Sequence, residues 1–114
     1  MDIVGPAKLL TIYVGEADKW HGRPLSTALI ERLRSEGLAG ATVTRAIEGF
    51  GAASRIHSAH ILRLSQDLPL VIEIVDKEER IERALSIVDE MVGDGLVTMS
   101  DVEVVHYRAE AGPT

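Results

Sequence analysis

Residues 68–92 read LPLVIEIVDKEERIERALSIVDEMV, a strand pattern that runs directly into a helix pattern. Side chains over 69–75 alternate with the period of two that is typical of a β-strand. One face carries Leu70, Ile72 and Ile74. The other face carries Val71, Glu73 and Val75. Asp76 is placed to cap a helix with Glu79 at the capping-box position. The apolar stripe of that helix is Ile81, Leu85, Val88 and Val92. The segment predicts a strand over 68–76 and a helix that ends at the GDG of 93–95.

The rest of the chain repeats this order of strand and helix. KLLTIYV, residues 8–14, alternates like a strand. Pro24 is placed as the first residue of a helix that Gly37 ends, since proline suits the first helical position. Its apolar positions are Leu25, Ala28, Leu29 and Leu33. ATVTRAIE, 41–48, is rich in β-branched residues, and DVEVVHY, 101–107, alternates, so both are predicted strands.

The resulting order, βαββαβ, predicts an α+β fold of the ferredoxin-like type. In this sandwich two helices cover one face of a four-stranded antiparallel sheet. If the strand face that carries Leu70, Ile72 and Ile74 packs under the helices, the other sheet face is rich in apolar residues. These are Leu9, Tyr13, Val71, Val75, Val105 and Tyr107. A sheet face of this kind favours burial against other copies, so we predict a homo-oligomer. The alternative is a monomer with a half-polar sheet.

Composition restricts the class of protein. The 114 residues fit a single domain over 1–114, with a frayed tail at 109–114. Twelve basic and eighteen acidic residues give a net charge of −6, which argues against nucleic acid as a partner. The chain has no cysteine, and its first residues show neither a signal peptide nor an apolar run that could insert into a membrane. We therefore predict a cytoplasmic protein. No catalytic motif is present, so an enzyme is not expected.

The connection between the second and third strands is too long for a simple hairpin. It spans about residues 50–68, and loops of this length are usually functional or disordered. It begins at Gly49, Phe50 and Gly51, which include the only phenylalanine in the chain. The two glycines allow a ligand to approach the backbone, with Phe50 anchoring the loop in the core or in an interface. A bulge at the end of the strand with a buried Phe50 is the alternative.

Several ordered blocks resemble a known family. GATVTRAIEGFG (40–51), LPLVIEIVD (68–76) and the GDG of 93–95 are similar to the PII signal-transduction proteins. YVGEAD (13–18) and GRPL (22–25), together with these blocks, resemble the narrower PII-like family catalogued as domain of unknown function 190. The resemblance covers about residues 8–108. It implies a homotrimeric signalling or regulatory protein that binds a small ligand in clefts between subunits and contacts a partner through its long loop.

The resemblance also implies which residues bind the ligand. By position they are Thr42, Gly49, Phe50, Gly51, Glu73, Gly93, Asp94 and Gly95, to which Arg108 is added as a nearby cation. The implied ligand is an adenine nucleotide: AMP, ADP or ATP. Glycine turns can hold phosphate through backbone N–H groups alone. The basic residues that PII proteins use for phosphate are replaced here by Ala52, Ala53, Leu96, Tyr107 and Ala109. A ligand with fewer charges, of the adenosine type, fits this chain better than a triphosphate.

The loop carries three residues that suggest contact with a partner, Arg55, His57 and His60. The resemblance implies a membrane transporter or an enzyme as that partner. Two alternatives remain open. His57 and His60 could bind a metal ion together with a third ligand, or they could be ordinary exposed histidines. The chain could also be an adaptor that binds its partner without any ligand.

Overall fold

The computed structural model describes residues 1–51 and 67–110. In chain order the elements are β1 (Asp2–Gly15), β2 (Lys19–Trp20), β3 (Arg23–Pro24), α1 (Leu25–Ser35), β4 (Thr42–Arg45), β5 (Pro69–Asp76), α2 (Glu78–Met91) and β6 (Leu96–Arg108). The main sheet has the order β4-β5-β1-β6, and every neighbouring pair is antiparallel. β2 and β3 form a separate two-stranded hairpin. The ferredoxin-like α+β prediction is therefore confirmed.

The core lies between the two helices and the central strands β1 and β5. Leu10 and Ile74 are register partners, as are Ile12 and Ile72, and all four side chains are fully buried. The helices contribute a second layer, which includes Leu25, Ala28, Leu29, Leu33, Ile81, Ala84, Ile87, Val88 and Met91. Trp20 packs against the edge of this core. The alternation read from the sequence therefore assigns the buried face of both strands correctly.

The helices start differently from the sequence prediction. Pro24 is not the first helical residue: it precedes the helix in an extended conformation, with ψ 129°. Asp76 does not cap α2 either, since Lys77 occupies the N-cap position and makes no side-chain cap hydrogen bond. The Asp76 carboxylate is fully buried and bonds to a distant loop instead. The buried stripe of α2 is also turned relative to the prediction, because Leu85 lies at the margin of the core.

Both β1 and β6 are longer than predicted. β6 begins at Leu96, where its residues are exposed and show no alternation of burial that a sequence pattern could reveal. β1 begins at Asp2, whereas its pairing with β5 stops at Lys8 and Asp76. Asp2–Ala7 and Val102–Arg108 therefore form a two-stranded projection, the β1–β6 ribbon. In this ribbon Val4 opposes two residues of β6, which is a β-bulge.

The ends of the predicted segments also differ. β4 covers only Thr42–Arg45 of the predicted 41–48, although the Ala46 N–H still donates to the Pro69 carbonyl at 2.9 Å. The first residue of the predicted tail is paired: the Ala109 N–H donates to the Met1 carbonyl at 3.0 Å. Residues 111–114 lie outside the part of the chain that the structure describes. Neither of the helices in the described ranges is long and apolar enough to cross a membrane.

Candidate functional site

A groove opens on the sheet face that the helices leave uncovered. We call it the open-face groove; its volume is about 500 Å³. Its lining residues are Leu9, Ala39, Gly40, Ala41, Thr42, Glu73, Val75 and Tyr107. The floor comes from the central strands β1 and β5, and the walls come from the segment before β4 and from β6. This volume lies within the usual range of a small-molecule site.

Thr42 and Glu73 lie side by side in this groove. They are register partners on β4 and β5, so their side chains stand on the same sheet face. Both side chains are exposed. The Thr42 hydroxyl can donate and accept hydrogen bonds, whereas an ionised Glu73 carboxylate only accepts them. Two residues that the resemblance implied as ligand contacts are thus brought together by strand pairing.

The backbone of Ala39 forms one wall and is held from two sides. Its N–H donates to Oδ2 of Asp76 at 2.8 Å. Its carbonyl accepts a hydrogen bond from the Tyr107 hydroxyl at 3.1 Å. Asp76 also accepts from the Lys77 N–H at 2.7 Å and from Nη1 of Arg80 at 2.9 Å. The buried carboxylate therefore fixes the wall to the start of α2.

Among the described residues that line the groove, one is charged. Within 1–51 and 67–110, Glu73 is the only acidic lining residue and no lysine or arginine lines the groove. A carboxylate in a groove favours hydrogen-bond donors and neutral or cationic groups, and it repels anions. The groove is therefore suited to the ring of a ligand rather than to a phosphate group.

The two glycine turns lie at the same end of the sheet but at opposite edges. Residues 49–51 follow β4, and Gly49 lies against Pro69. Residues 93–95 precede β6, beside Tyr13. Three strand spacings separate β4 from β6, or about 14 Å. Within one chain the two turns therefore do not line the same face of one cleft.

Close backbone packing explains one glycine of the second turn. A Cβ atom on Gly95 would lie 2.7 Å from the carbonyl oxygen of Tyr13, whereas one on Gly93 would meet nothing within 4 Å.

Phe50 does not anchor its turn in the core, since 68% of its surface is exposed. The alternative of a Phe50 buried at a bulge is wrong for the same reason. Its expected place in an interface stays a prediction.

Arg108 lies far from the glycine turns. It is the register partner of Asp2 at the end of the β1–β6 ribbon, whereas Leu96 at the start of β6 pairs with Tyr13. Eleven residues of β1 separate these positions, which corresponds to about 36 Å at the rise of a strand. Arg108 and the 93–95 turn therefore do not contribute to one site within a single chain.

The GEAD segment, 15–18, holds both ends of the long loop. The carboxylate of Glu16 accepts from Nε of Arg45 at 2.6 Å, near the start of the loop. At the other end the Ala17 N–H donates to Oδ1 of Asp67 at 3.0 Å, and the Glu16 N–H donates to the Leu68 carbonyl at 2.9 Å. The segment that the resemblance singled out thus has a structural role at the base of the loop.

The structure does not describe the three loop residues that were predicted to contact a partner. Arg55, His57 and His60 lie outside the described residues, so the partner and metal predictions stay predictions. Within 1–51 and 67–110, no group of three or more acidic or histidine side chains could hold a metal ion.

Sequence reasoning did not assign most of the groove to the ligand. Leu9, Val75 and Tyr107 were predicted on the uncovered sheet face, and the structure confirms that position. They were interpreted as an assembly surface rather than as a ligand site. The segment 39–41 carried no signal, because its contribution depends on backbone contacts with Asp76 and Tyr107.

Three solved structures share this architecture. TTHA0516 of Thermus thermophilus, named a PII-like signaling protein, is 25% identical, with a TM-score of 0.61 over 90% of this chain and 92% of that one. CPII of Thiomonas intermedia K12, bound to ADP, AMP and acetate, gives a TM-score of 0.61 at 19% identity, over 90% and 91% of the chains. A GlnK-ATP complex of B. subtilis gives 0.57 at 15% identity, over 88% and 84%. The chain thus has the PII-like form of the ferredoxin-like fold.

The sequence identifies the family within this class. The family model DUF190, described as "Uncharacterized ACR, COG1993", matches residues 7–104. A UPF0166 protein of Aquifex aeolicus is 43% identical over 101 residues, which is 87% of this chain and 93% of that protein. The UPF0166 protein MJ1524 of Methanocaldococcus jannaschii is 39% identical over 105 residues, 91% and 94% of the two chains. The chain belongs to the DUF190 family, as its motifs predicted.

Proposed function

We propose that this chain is a PII-like regulatory protein without catalytic activity, which binds an adenine nucleoside or nucleotide in the open-face groove. The observation that carries the proposal is the pairing of Thr42 with Glu73 inside a groove of about 500 Å³. Two proteins of similar fold support the choice of ligand, since CPII has been solved with ADP and AMP and GlnK with ATP. The fold alone would not specify a ligand.

The chemistry of the lining matches the ring and ribose of adenosine. Leu9 and Val75 offer apolar surface to a planar base. Glu73 can accept hydrogen bonds from an amino group or from ribose hydroxyls, and Thr42 can act as donor or acceptor. Because no basic residue lines the groove within residues 1–51 and 67–110, phosphates would project out of it. In a single chain we therefore expect adenosine and AMP to bind at least as tightly as ATP.

A second copy would supply the phosphate contacts. The turns at 49–51 and 93–95 lie at opposite edges of one sheet, so an arrangement that places the β4 edge of one copy beside the β6 edge of the next would join them. Such a head-to-tail interface closes into a ring when the rotation from one copy to the next divides a full turn evenly. The exposed register partners Tyr13 and Leu96 on the uncovered face support association. We propose three copies, the number that the family resemblance implies.

The output of this protein would be contact with a partner. The loop at 50–68 is expected to bind a membrane transporter or an enzyme in the cytoplasm, in a manner that depends on the ligand. The described residues that flank the loop support this proposal, because Glu16 binds Arg45 before the loop and Ala17 binds Asp67 at its end. An adaptor that ignores ligand is the alternative, and binding of a partner with equal affinity in the presence and absence of AMP would favour it.

The ligand site can be tested by isothermal titration of the purified protein with adenosine, AMP, ADP and ATP. Glu73→Gln should weaken binding of adenosine by tenfold or more, since hydrogen bonds to a charged acceptor contribute about 1.5–3 kcal/mol. Thr42→Val should weaken it less. Thr44→Val is the matched control, because Thr44 lies on the same strand and face but outside the groove lining.

Two results are required together. At least one adenine compound must bind to the unmodified protein, and Glu73→Gln must weaken that binding while Thr44→Val does not. Absence of binding by all four compounds at millimolar concentration would overturn the proposed function. Equal affinities in Glu73→Gln and the control would remove the groove as the site.

A further inference from the structure

We propose that Tyr107 is a built-in competitor for the ligand of the open-face groove. Its hydroxyl occupies the hydrogen-bond position at the Ala39 carbonyl that the amino group of a planar ring ligand would take. A carbonyl oxygen can accept two hydrogen bonds, so the competition is for space: the Tyr107 side chain itself lines the groove, and a ring ligand that donates to Ala39 must displace it. The inference rests on the proposed function, because it names the residue that controls access to the same groove.

The acceptor of this hydrogen bond is fixed in place. The Ala39 N–H is bonded at 2.8 Å to Asp76, whose side chain is completely buried. Asp76 is itself held by the Lys77 N–H and by Arg80. The Ala39 carbonyl therefore keeps its direction toward the groove whether or not Tyr107 is bonded to it. It is a preorganised acceptor.

The donor, in contrast, is held weakly. Tyr107 is half-buried and belongs to the β1–β6 ribbon, which has no β5 neighbour beyond Asp76. The bulge opposite Val4 directly precedes it, and Gly5 has φ +99°. Bulges bend a strand and interrupt its ladder of hydrogen bonds. A displacement of Tyr107 therefore disturbs the ribbon, including its buried register partner Ile3, but not the cluster beneath the helices.

Ligand binding would exchange one hydrogen bond for another. A ligand amino group that donates to Ala39 replaces the hydroxyl donor, so the carbonyl stays paired. The Tyr107 hydroxyl moves into water, which satisfies it in turn. Since one neutral hydrogen bond contributes about 0.5–1.5 kcal/mol, the competition lowers ligand affinity between about twofold and tenfold. A ligand that lacks the amino group leaves the carbonyl unpaired and binds more weakly for that reason.

This exchange would couple the groove to an exposed apolar surface. The ribbon that carries Tyr107 also carries Val4 and Val105, which are 68% and 83% exposed. Release of Tyr107 by a ligand would change the position of this surface. The same hydrogen bond would thus connect ligand occupancy to the end of the molecule that lies farthest from the glycine turns.

The chain offers a matched pair of variants for the test. It has two tyrosines, and Tyr13 lies on the same sheet face but outside the groove. Tyr107→Phe keeps the ring and removes the competing hydroxyl; Tyr13→Phe makes the same change elsewhere. We expect adenosine and purine riboside to bind two- to tenfold more tightly to Tyr107→Phe than to the unmodified protein, with no gain in Tyr13→Phe. Adenosine should bind more tightly than purine riboside, which has no amino group.

Fluorine NMR follows the displacement directly. Protein labelled with 3-fluorotyrosine has one signal for each of its two tyrosines. Each signal is assigned by its loss in the variant Tyr107→Phe or Tyr13→Phe. Adenosine should shift the Tyr107 signal and leave the Tyr13 signal in place. Weaker or equal binding by Tyr107→Phe, or an unmoved Tyr107 signal at saturation, overturns the inference while the proposed function stands.

A measurement without ligand separates the two proposals. If no adenine compound binds, the proposed function fails, and the role of Tyr107 is decided by amide hydrogen exchange. Tyr107→Phe should then speed exchange in the ribbon, residues 102–108, several-fold relative to Tyr13→Phe. Identical exchange in the two variants would show that the hydroxyl does not hold the ribbon to Ala39, and the inference would be discarded.

Discussion

Replacement of Asp76 by alanine should destabilise this protein more than replacement of any exposed acidic residue. Its side chain is completely buried and accepts three hydrogen bonds. The donors are the Ala39 N–H at 2.8 Å, the Lys77 N–H at 2.7 Å and Nη1 of Arg80 at 2.9 Å. These bonds join three parts of the chain: the wall of the groove, the end of β5 and the first turn of α2.

The size of this destabilisation follows from the hydrogen bond that each donor loses in Asp76→Ala. A hydrogen bond to a charged group contributes about 1.5–3 kcal/mol, but the three values do not add. Burial of the carboxylate carries a desolvation cost that the variant avoids, and Arg80 keeps access to water because 28% of its side chain is exposed. The two N–H groups are left without their acceptor. We expect a loss of about 3–5 kcal/mol in the free energy of unfolding, a large fraction of the stability of a small domain.

Urea denaturation can measure this loss through the fluorescence of Trp20, the only tryptophan. Protein concentration must be equal in all samples, because association would raise the apparent stability. Asp101→Ala is the control, since it removes an acidic residue whose ion pair with Lys8 is at the surface. The control should unfold close to the unmodified protein. A loss below about 1 kcal/mol in Asp76→Ala would refute the reasoning that these hydrogen bonds hold the groove wall to α2.

Three further predictions concern close packing and charge. Gly95→Ala places a Cβ 2.7 Å from the Tyr13 carbonyl and should cost about 2–3 kcal/mol in urea denaturation, whereas Gly93→Ala should be nearly neutral; equal effects would contradict this. Gly15→Ala brings a Cβ within 2.5 Å of Oδ1 of Asp67, which must then give up its hydrogen bond with the Ala17 N–H, and thermal unfolding should show a smaller loss of about 1 kcal/mol. The Asp101 hydrogen bond and charge raise the pKa of Lys8 above its ordinary value of 10.5, so the stability from this pair is present below pH 10.5 and lost as the pH rises through the raised pKa. Because the pair lies at the surface, this alkaline loss should be small, and Lys8→Met should lack it in urea midpoints measured between about pH 9 and 11.5.

The fold could be predicted because its central strands alternate clearly. Leu70, Ile72 and Ile74 are buried against the helices, as their spacing indicated. The start of β6 was missed for a physical reason: Val97 and Met99 lie opposite Ile12 and Leu10, yet they are 38% and 50% exposed. This part of β6 therefore shows no difference in burial between its two faces.

Asp76 shows where local patterns mislead. Its spacing from Glu79 matches a capping box, which predicts a contact within one helical turn. The carboxylate does accept from Lys77 and Arg80 nearby, but it makes no contact of the capping-box kind, and its other oxygen bonds to Ala39, which lies 37 positions earlier in the chain. A sequence pattern cannot show this contact, because it depends on how the segment before β4 lies beside the end of β5. The same is true of Tyr107 and Ala39, which are 68 positions apart.

The candidate site has two parts. A single chain forms the groove around Thr42 and Glu73, but it does not bring the two glycine turns together. Thr42 and Glu73 meet through strand pairing inside a single chain, together with Leu9 and Val75. The glycine turns at 49–51 and 93–95 remain at opposite edges of the sheet. In the proposed trimer, recognition of the ring of an adenine ligand should therefore survive dissociation into single chains, whereas any contribution of phosphates should not.

Under the proposed function, this division would give the uncovered sheet face two separate roles. Its middle, around Glu73, is polar and grooved, which suits a small ligand, while Tyr13 and Leu96 at the end near the glycine turns are apolar and partly exposed, which suits another copy. Since Tyr13 and Leu96 are register partners directly beside Gly95, packing of a second copy on them would also order the backbone of that turn. Assembly and phosphate recognition would then depend on the same contacts, and a variant that weakens one should weaken the other while adenosine still binds.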